Sequence, residues 1–247
     1  MTHHTPRILG VIPARLASTR LPRKVLRELA GEPLLAWVYR AALACPDLTA
    51  LVIAADSTEV LDLCHARNWP CVLTSPSLPS GTDRLHAVSQ LPSWDDFSIY
   101  VNIQGDEPLL HPTHITGLLT PFTQPSVEVT TLKVRCRPED IANPNAVKVV
   151  TAADNRALYF SRAPIPYDRD ATHPTYFKHL GLYAYRRAAL TRFAALTPSP
   201  LEQTERLEQL RLLENNIDIH VTETTHDTIG VDTEADLHRV EAILRQP

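Results

Sequence analysis

Ile8-Leu9-Gly10-Val11-Ile12-Pro13-Ala14-Arg15-Leu16-Ala17-Ser18-Thr19-Arg20-Leu21-Pro22-Arg23-Lys24 is the stretch that decides the fold. Its first five residues are apolar without alternation, which is how a strand buried on both faces of a parallel sheet reads. The run stops at Pro13, and four cations (Arg15, Arg20, Arg23, Lys24) follow within the next few residues. Open α/β sheets bind ligands at the carboxyl ends of their strands, so a cationic loop there suits an anionic ligand such as a polyphosphate. A basic loop that is merely solvated reads the same way from this segment alone.

Outward from that stretch, helical and strand periods alternate. Leu34, Val38 and Ala42 repeat every four residues after Pro33 and predict a helix. Residues 51–55 and 71–74 predict strands, with a helix marked by Val60, Leu63, Cys64 and Arg67 between them. A helix over 80–91 and a strand over 98–104 complete a β-α-β-α-β succession, the mark of a doubly wound α/β fold with a mostly parallel, Rossmann-like sheet flanked by helices. The second half differs. Strands at 127–134, 146–150, 158–161 and 180–185 have few helices between them, with a Pro- and Asp-rich loop over 163–170. Helices at 201–215 and 232–245 end the pattern. We therefore expect a single domain carrying a smaller antiparallel lobe at about 133–200.

Composition narrows the function. The 247 residues carry 24 Lys+Arg against 28 Asp+Glu, a balance that excludes a generic basic nucleic-acid binder. No apolar run approaches the roughly 20 residues of a membrane span, and Met1–Arg7, lacking the charged and apolar regions of a signal peptide, are not expected to act as one. The expected location is cytoplasmic, with no membrane insertion. Cys45, Cys64, Cys71 and Cys136 have no paired spacing and read as reduced, mostly buried thiols. No His/Cys set has zinc spacing. With only 7 glycines against 21 prolines, a Walker loop or GxGxxG turn is absent, so any nucleotide must be held another way.

Three further segments carry candidate chemistry. Asn102-Ile103-Gln104-Gly105-Asp106-Glu107-Pro108 ends an apolar strand in glycine and two carboxylates, a place for a divalent cation beside phosphates or a polar turn. In Gly230-Val231-Asp232-Thr233-Glu234-Ala235-Asp236, Thr233 and Asp236 have capping-box spacing, which leaves Asp232 without a capping duty. In Ser80-Gly81-Thr82-Asp83-Arg84, Ser80 and Asp83 have the spacing of a helix start, whose free amides could also meet a polar ring. His65, His86 and His238 fall in predicted helices, and His111 and His114 flank a predicted turn.

In this order these segments resemble the CMP-Kdo synthetase family, cytidylyltransferases that activate 3-deoxy-D-manno-octulosonate (Kdo) with CTP for lipopolysaccharide biosynthesis. The likeness runs from Ile12-Pro13-Ala14-Arg15 through Gln104-Gly105-Asp106-Glu107-Pro108, Asn143-Pro144-Asn145-Ala146-Val147-Lys148, Phe160-Ser161-Arg162, His179-Leu180-Gly181 with Tyr183, and Leu207-Glu208-Gln209-Leu210-Arg211 to Gly230-Val231-Asp232-Thr233. It implies that Arg15, Ser18, Arg20 and Lys24 hold the CTP triphosphate, with Gln104 also on the CTP side. It places Ser80, Gly81 and Thr82, with Thr74, at the cytosine. Asp106 and Asp232 are implied as ligands of Mg²⁺, with Lys24 beside them in catalysis. Arg162, His179, Tyr183, Glu208 and Gln209 are implied around the sugar acid, and a homodimer as the assembly.

Three departures stand out. Arg23 occupies a position where the family commonly has glycine, no Asp-His precedes Ser80, and the linker at 170–177 is short. Rival readings are a glycosyltransferase, a non-catalytic nucleotide-binding protein, and a relative acting on sialic acid or an amino-substituted Kdo.

Overall fold

The computed structural model describes residues 6–18 and 20–245; Met1–Thr5, read above for a leader, and Thr19 of the cationic loop lie outside the described residues. The chain divides into two units, Met1–Ile115 with Thr228–Pro247, and Thr116–Asp227. The second is wider than the lobe expected at about 133–200. The strand that reading missed, 220–223, pairs with one at 129–135, and this pairing carries the unit's boundary outward.

In unit 1, β1 (Ile8–Ala14) leads through a short hairpin, β2 (Glu28–Leu29) and β3 (Glu32–Pro33), into α1 (Leu34–Leu43). β4 (Ala50–Ala55), α2 (Thr58–Ala66), β5 (Cys71–Leu73), α3 (Gly81–Ser89) and β6 (Ile99–Asn102) follow. All four long strands are parallel, in the order β5-β4-β1-β6, with Ile12 opposite Ile53 and Val11 opposite Asn102. Leu9, Val11, Ile12, Val52 and Ile53 are fully buried, as a run without alternation requires. The order reverses at β1/β6: the chain builds outward to β4 and β5 on one side, then returns to the other. Such a switch point opens a crevice at the strands' carboxyl ends. The loops after β1 and β6 are therefore the ones that meet a ligand.

The unit boundary falls within α4 (Pro112–Leu119). His114, expected beside a turn, lies inside this helix and is fully buried. The reason is local: Pro112 takes the first helical position, where its missing N–H costs nothing.

Unit 2 holds β7 (Val129–Arg135), a short turn of helix α5 (Pro138–Ile141), β8 (Lys148–Thr151), β9 (Ala157–Ser161) and β10 (Phe177–Arg186). After these come α6 (Arg187–Ala195), α7 (Pro200–Glu205), α8 (Leu210–Glu214) and β11 (His220–Glu223). β10 pairs antiparallel with β7 and β8, β8 antiparallel with β9, and β11 parallel with β7. The helix expected over 201–215 is two helices. Arg206 turns left-handed at φ 55°, and Leu207 N–H donates to the Glu202 carbonyl at 3.2 Å, a helix-ending bond across five residues. Arg211 then clamps the pair, donating to both carboxylate oxygens of Glu202 at 2.7 and 2.5 Å with both side chains largely buried.

The helix α9 (Glu234–Leu244) returns to unit 1. Among the described residues no helix is long and apolar enough to cross a membrane. The four cysteines are unpaired, two of them buried, and burial pushes the Cys45 and Cys64 thiols up to about 11 and about 12.

Candidate active site

The loop after β1 is held open by its own backbone. Leu16 N–H donates to Asp56 Oδ1 at 3.1 Å, Arg23 N–H to the Leu16 carbonyl at 3.3 Å, and Leu21 and Val25 are buried beneath it. Anchored this way, the loop presents Arg15, Ser18, Arg20 and Lys24 to a cavity of about 280 Å³. The rest of the lining comes from Gln104, Gly105 and Asp106 after β6, from Gly81 at the head of α3, and from Asp232. Gly105 permits this approach, since a Cβ there would lie 2.6 Å from the Pro13 carbonyl oxygen.

Asp232 reaches the cavity from the far end of the sequence because Val231 N–H donates to the Asp106 carbonyl at 2.9 Å. The capping box read from the sequence is present: Thr233 Oγ accepts from Asp236 N–H at 3.2 Å, and Asp236 accepts from Thr233 N–H at 2.9 Å. The Asp232 carboxylate is thus left for other partners. Lys24 Nζ donates to Asp232 Oδ1 at 2.8 Å and also to Asp106 Oδ2, while Arg20 meets Asp232 Oδ2 at 2.8 Å. Burial pulls the Lys24 ammonium's pKa down, but Asp106 first and Asp232 second more than reverse this, leaving it above its ordinary value. Burial pushes the Asp232 carboxyl up; Lys24 and then Arg20 outweigh it and hold the carboxyl below its usual range.

Two carboxylates that converge on one point, now held by an ammonium, are a hard-oxygen donor set of the kind Mg²⁺ takes beside substrate phosphates. The residues therefore fit that ion as a pair completed by phosphate oxygens. Among the described residues no group of three His, Cys, Asp or Glu side chains could hold a metal by itself.

Of the residues implied at the cytosine, Gly81 lines this cavity. Ser80 caps α3, accepting from Asp83 N–H at 3.1 Å and donating to Asp83 Oδ2 at 2.7 Å. Neither Ser80 nor the buried Thr82 is among the residues lining the cavity. Thr74 is buried; its hydroxyl donates to the Ala55 carbonyl at 2.7 Å and accepts from Arg84. Arg84 is a residue the sequence reading passed over. It is wholly buried, donates to the Ser75 carbonyl at 3.2 Å, and its Nε and Nη2 find no partner among the described residues. Its signal was positional, because it lies four residues before Val88 on the buried face of α3. Arg23, at the glycine position, turns left-handed (φ 56°, ψ 32°) and sends its side chain to Glu59, away from the cavity.

The five residues implied around the sugar acid gather in unit 2. A register shift in β10 between Leu180 and Tyr183 re-aims the His179-Leu180-Gly181 segment, as bulges do. Buried Thr131 fixes the His179 ring. Its Oγ1 lies 3.0 Å from Nε2 of the ring and 2.8 and 3.2 Å from the Leu182 and Leu180 carbonyls, which anchors the imidazole through that nitrogen. Burial drops the His179 pKa to about 3. The ring is therefore neutral. Phe160 meets it edge-on at 4.9 Å and Tyr183 at 5.4 Å.

Burial first, then Tyr185 and Glu208, push the Tyr183 phenol up, and its hydroxyl, close to Thr131, makes no well-formed hydrogen bond among the described residues. Gln209 is buried with Nε2 likewise unpaired among the described residues. Arg162 also braces this region. Its guanidinium donates to the carbonyls of Glu205 (2.7 Å), Pro144 (2.9 Å) and Arg206 (3.3 Å), pinning the break between α7 and α8 that carries Glu208 and Gln209.

The family model for cytidylyltransferases matches residues 9–219. A protein of Acidobacterium capsulatum named 3-deoxy-manno-octulosonate cytidylyltransferase is 64% identical over 96% of this chain and 96% of its own length. One of the same name from Koribacter versatilis is 56% identical over 98% and 91%. The solved structure of a CMP:2-keto-3-deoxy-manno-octonic acid synthetase complexed with CTP superposes with a TM-score of 0.90 at 39% identity, covering 96% of this chain and 98% of that one. A putative glucose-1-phosphate thymidylyltransferase from Bacillus anthracis, at 15% identity and a TM-score of 0.69, shares the fold. The motif resemblance is thus borne out across nearly the full length, and the chain belongs to the cytidylyltransferase family, with the 3-deoxy-manno-octulosonate cytidylyltransferases.

Proposed function

We propose that this chain transfers the cytidylyl group of CTP to 3-deoxy-D-manno-octulosonate, releasing pyrophosphate and forming the CMP-sugar used in lipopolysaccharide biosynthesis. The observation that carries this reading is one cavity at the sheet's switch point lined by Arg15, Arg20 and Lys24 together with Asp106 and Asp232. That pairing of cations and acids suits a highly anionic nucleotide that brings a dication.

The anomeric hydroxyl attacks the α-phosphorus in line, and the bond to the β-phosphate oxygen breaks. Positioning and charge neutralisation govern such a transfer. Arg15, Ser18 and Arg20 would grip the triphosphate, and Lys24 would stabilise the charge that builds on departing pyrophosphate, an effect of about 3 kcal/mol for one well-placed donor. Asp106 and Asp232 would hold Mg²⁺, which when bound supplies charge neutralisation and lowers the pKa of a nearby hydroxyl. In unit 2, neutral His179 offers its Nδ1 and Gln209 an amide donor at Nε2 as partners for sugar hydroxyls. Pairing of two copies through unit 2 belongs to the same reading, because Leu158 on β9 and Tyr167 in the next loop are large exposed hydrophobics (59% and 87%). So does a cytoplasmic location, where CTP is made available.

The test is Mg²⁺-dependent pyrophosphate release across a panel of nucleotides with Kdo, 8-amino-Kdo and sialic acid. We expect release with CTP and Kdo. Release with sialic acid in preference to either Kdo form, or turnover of a nucleotide sugar instead of CTP, would overturn the assignment.

A further inference from the structure

We propose that Lys24 is a resident counter-ion that keeps Asp106 and Asp232 from a divalent cation until a polyphosphate draws it away, so that nucleotide and metal bind as one linked event. The inference rests on the reading of this cavity as a nucleotide site and adds the order in which its charges are exchanged.

The argument is one of charge balance. Asp106 Oδ2 and Asp232 Oδ1 both face Lys24 Nζ, and Asp232 Oδ2 faces Arg20. Two carboxylates, one ammonium and one guanidinium sum to zero. A dication arriving alone meets a neutral cluster and must separate Nζ from two oxygens at close range. The lysine cannot simply swing into water, since its side chain is only 12% exposed and Val25 beside it is buried. Leaving two anions for solvent would cost more than either contact alone returns in this half-buried setting.

A polyphosphate changes that balance. Lys24 and Arg20 line the same cavity as Arg15 and Ser18, so phosphate oxygens there compete with the carboxylates for both cations. Once the cations turn to the phosphates, Asp106 and Asp232 carry two uncompensated negative charges beside further phosphate oxygens. This is the donor set a hard dication prefers. Linkage then demands reciprocity: whatever factor the nucleotide adds to metal affinity, the metal adds to nucleotide affinity. The alternative is a carboxylate pair already open to metal with Lys24 as a bystander, which predicts metal binding indifferent to Lys24.

The experiment is a nucleotide-free Mn²⁺ titration of the full chain, followed by the loss of the free-ion electron paramagnetic signal. It compares wild type, Lys24→Met, Arg20→Gln and the double variant Lys24→Met/Asp106→Asn, each checked for folding by circular dichroism. Lys24→Met should bind Mn²⁺ about tenfold more tightly than wild type, within the usual range of couplings. The double variant should lose that gain. Arg20→Gln, whose side chain is 59% exposed and so least able to disturb folding, should gain about threefold, the scale of an exposed ion pair. If Lys24→Met does not fold, Arg20→Gln decides.

No gain in the folded variants overturns the proposal. Equal Mn²⁺ affinity in wild type and Lys24→Met, with the wild type releasing pyrophosphate from CTP and Kdo, defeats this inference alone. No Mn²⁺ bound by any variant, together with no CTP-dependent pyrophosphate release, defeats the functional reading as well.

Discussion

The two units handle polar chemistry in opposite ways. In unit 1 the polar groups are full charges set against one another: Lys24 between Asp106 and Asp232, with Arg20 on the far oxygen of Asp232. In unit 2 the buried groups at and around the His179 ring are neutral. His179 has lost its charge to burial, Tyr183 keeps its proton, and Gln209 is an amide with a donor unpaired among the described residues. The difference follows from what each can afford to bury. A carboxylate or ammonium can sit part-way under the surface only beside a counter-charge, whereas a neutral ring or amide needs one or two hydrogen bonds. A site for a polyphosphate is thus assembled from charges that hold each other until the ligand arrives. A site for hydroxyls is assembled from neutral donors and acceptors fixed in direction, as Thr131 fixes His179.

The hardest blow to this contrast falls on the charged side. Asp106→Asn and Asp232→Asn each keep the shape and remove one anion, leaving Lys24 with a single carboxylate partner. We expect turnover to fall about 10²–10³-fold, the usual scale for losing one preorganised electrostatic group. Binding of CTP, followed by intrinsic fluorescence, should weaken far less, because the cations of the loop remain. Pyrophosphate release within a few-fold of wild type in either variant would mean that these acids only anchor Lys24.

How much of this was legible beforehand differs between the units for physical reasons. Unit 1 announces itself locally. A continuous apolar run marks β1, a cation cluster follows it, and the Thr233–Asp236 box releases Asp232 from capping. Each of those signals lies within a few neighbouring residues. Unit 2 is specified by contacts between distant residues. The anchoring of the His179 ring depends on Thr131, which no spacing connects to it. The end of α7 at Arg206 was invisible because Leu207, Leu210 and Leu213 continue a helical period and no glycine marks the left-handed turn. The bidentate Arg211–Glu202 pair that holds the two helices looks, in sequence, like any pair of surface charges. β11 was missed although Ile217, Ile219 and Val221 alternate, all three buried, since two of them precede the strand proper.

The neutral side can be tested by pH. Unfolded histidine titrates near 6.5, and folded His179 near 3, so between these values the unfolded chain binds a proton that the folded one refuses. Stability from this group is complete above about pH 6.5 and declines as pH falls, by at most about 1.4 kcal/mol per pH unit. Tyr183 is the titratable side chain in ring contact with His179, and it stays protonated throughout this window. Urea midpoints of wild type and His179→Gln between pH 4.5 and 7.5 isolate the histidine, since other groups titrate alike in both. The variant should show the shallower loss toward acid. Parallel curves would place His179 in a wetter, titratable setting and dissolve the contrast between the units.

The smallest effect tests whether the charged side needs every one of its cations. Arg23 sits in the cationic loop next to Lys24, yet it turns to Glu59 and adopts the left-handed backbone that glycine favours. A side chain in that region costs about 1–2 kcal/mol. Replacing it by glycine relieves that strain but returns about 0.5–1 kcal/mol of conformational entropy to the unfolded chain, and gives up an exposed ion pair of about 0–1 kcal/mol. These terms nearly cancel, so Arg23→Gly should shift stability by no more than about 1 kcal/mol and leave turnover near wild type. Arg23→Val keeps a Cβ, adds branching where φ is positive, and has no compensating term; it should melt below the glycine variant by at least about 1 kcal/mol. If instead Arg23→Gly is crippled in pyrophosphate release while folding normally, the guanidinium must leave Glu59 for the triphosphate during the reaction. The cations of the loop would then act as four, and the neutral balance struck by Lys24 and Arg20 would describe only part of the site.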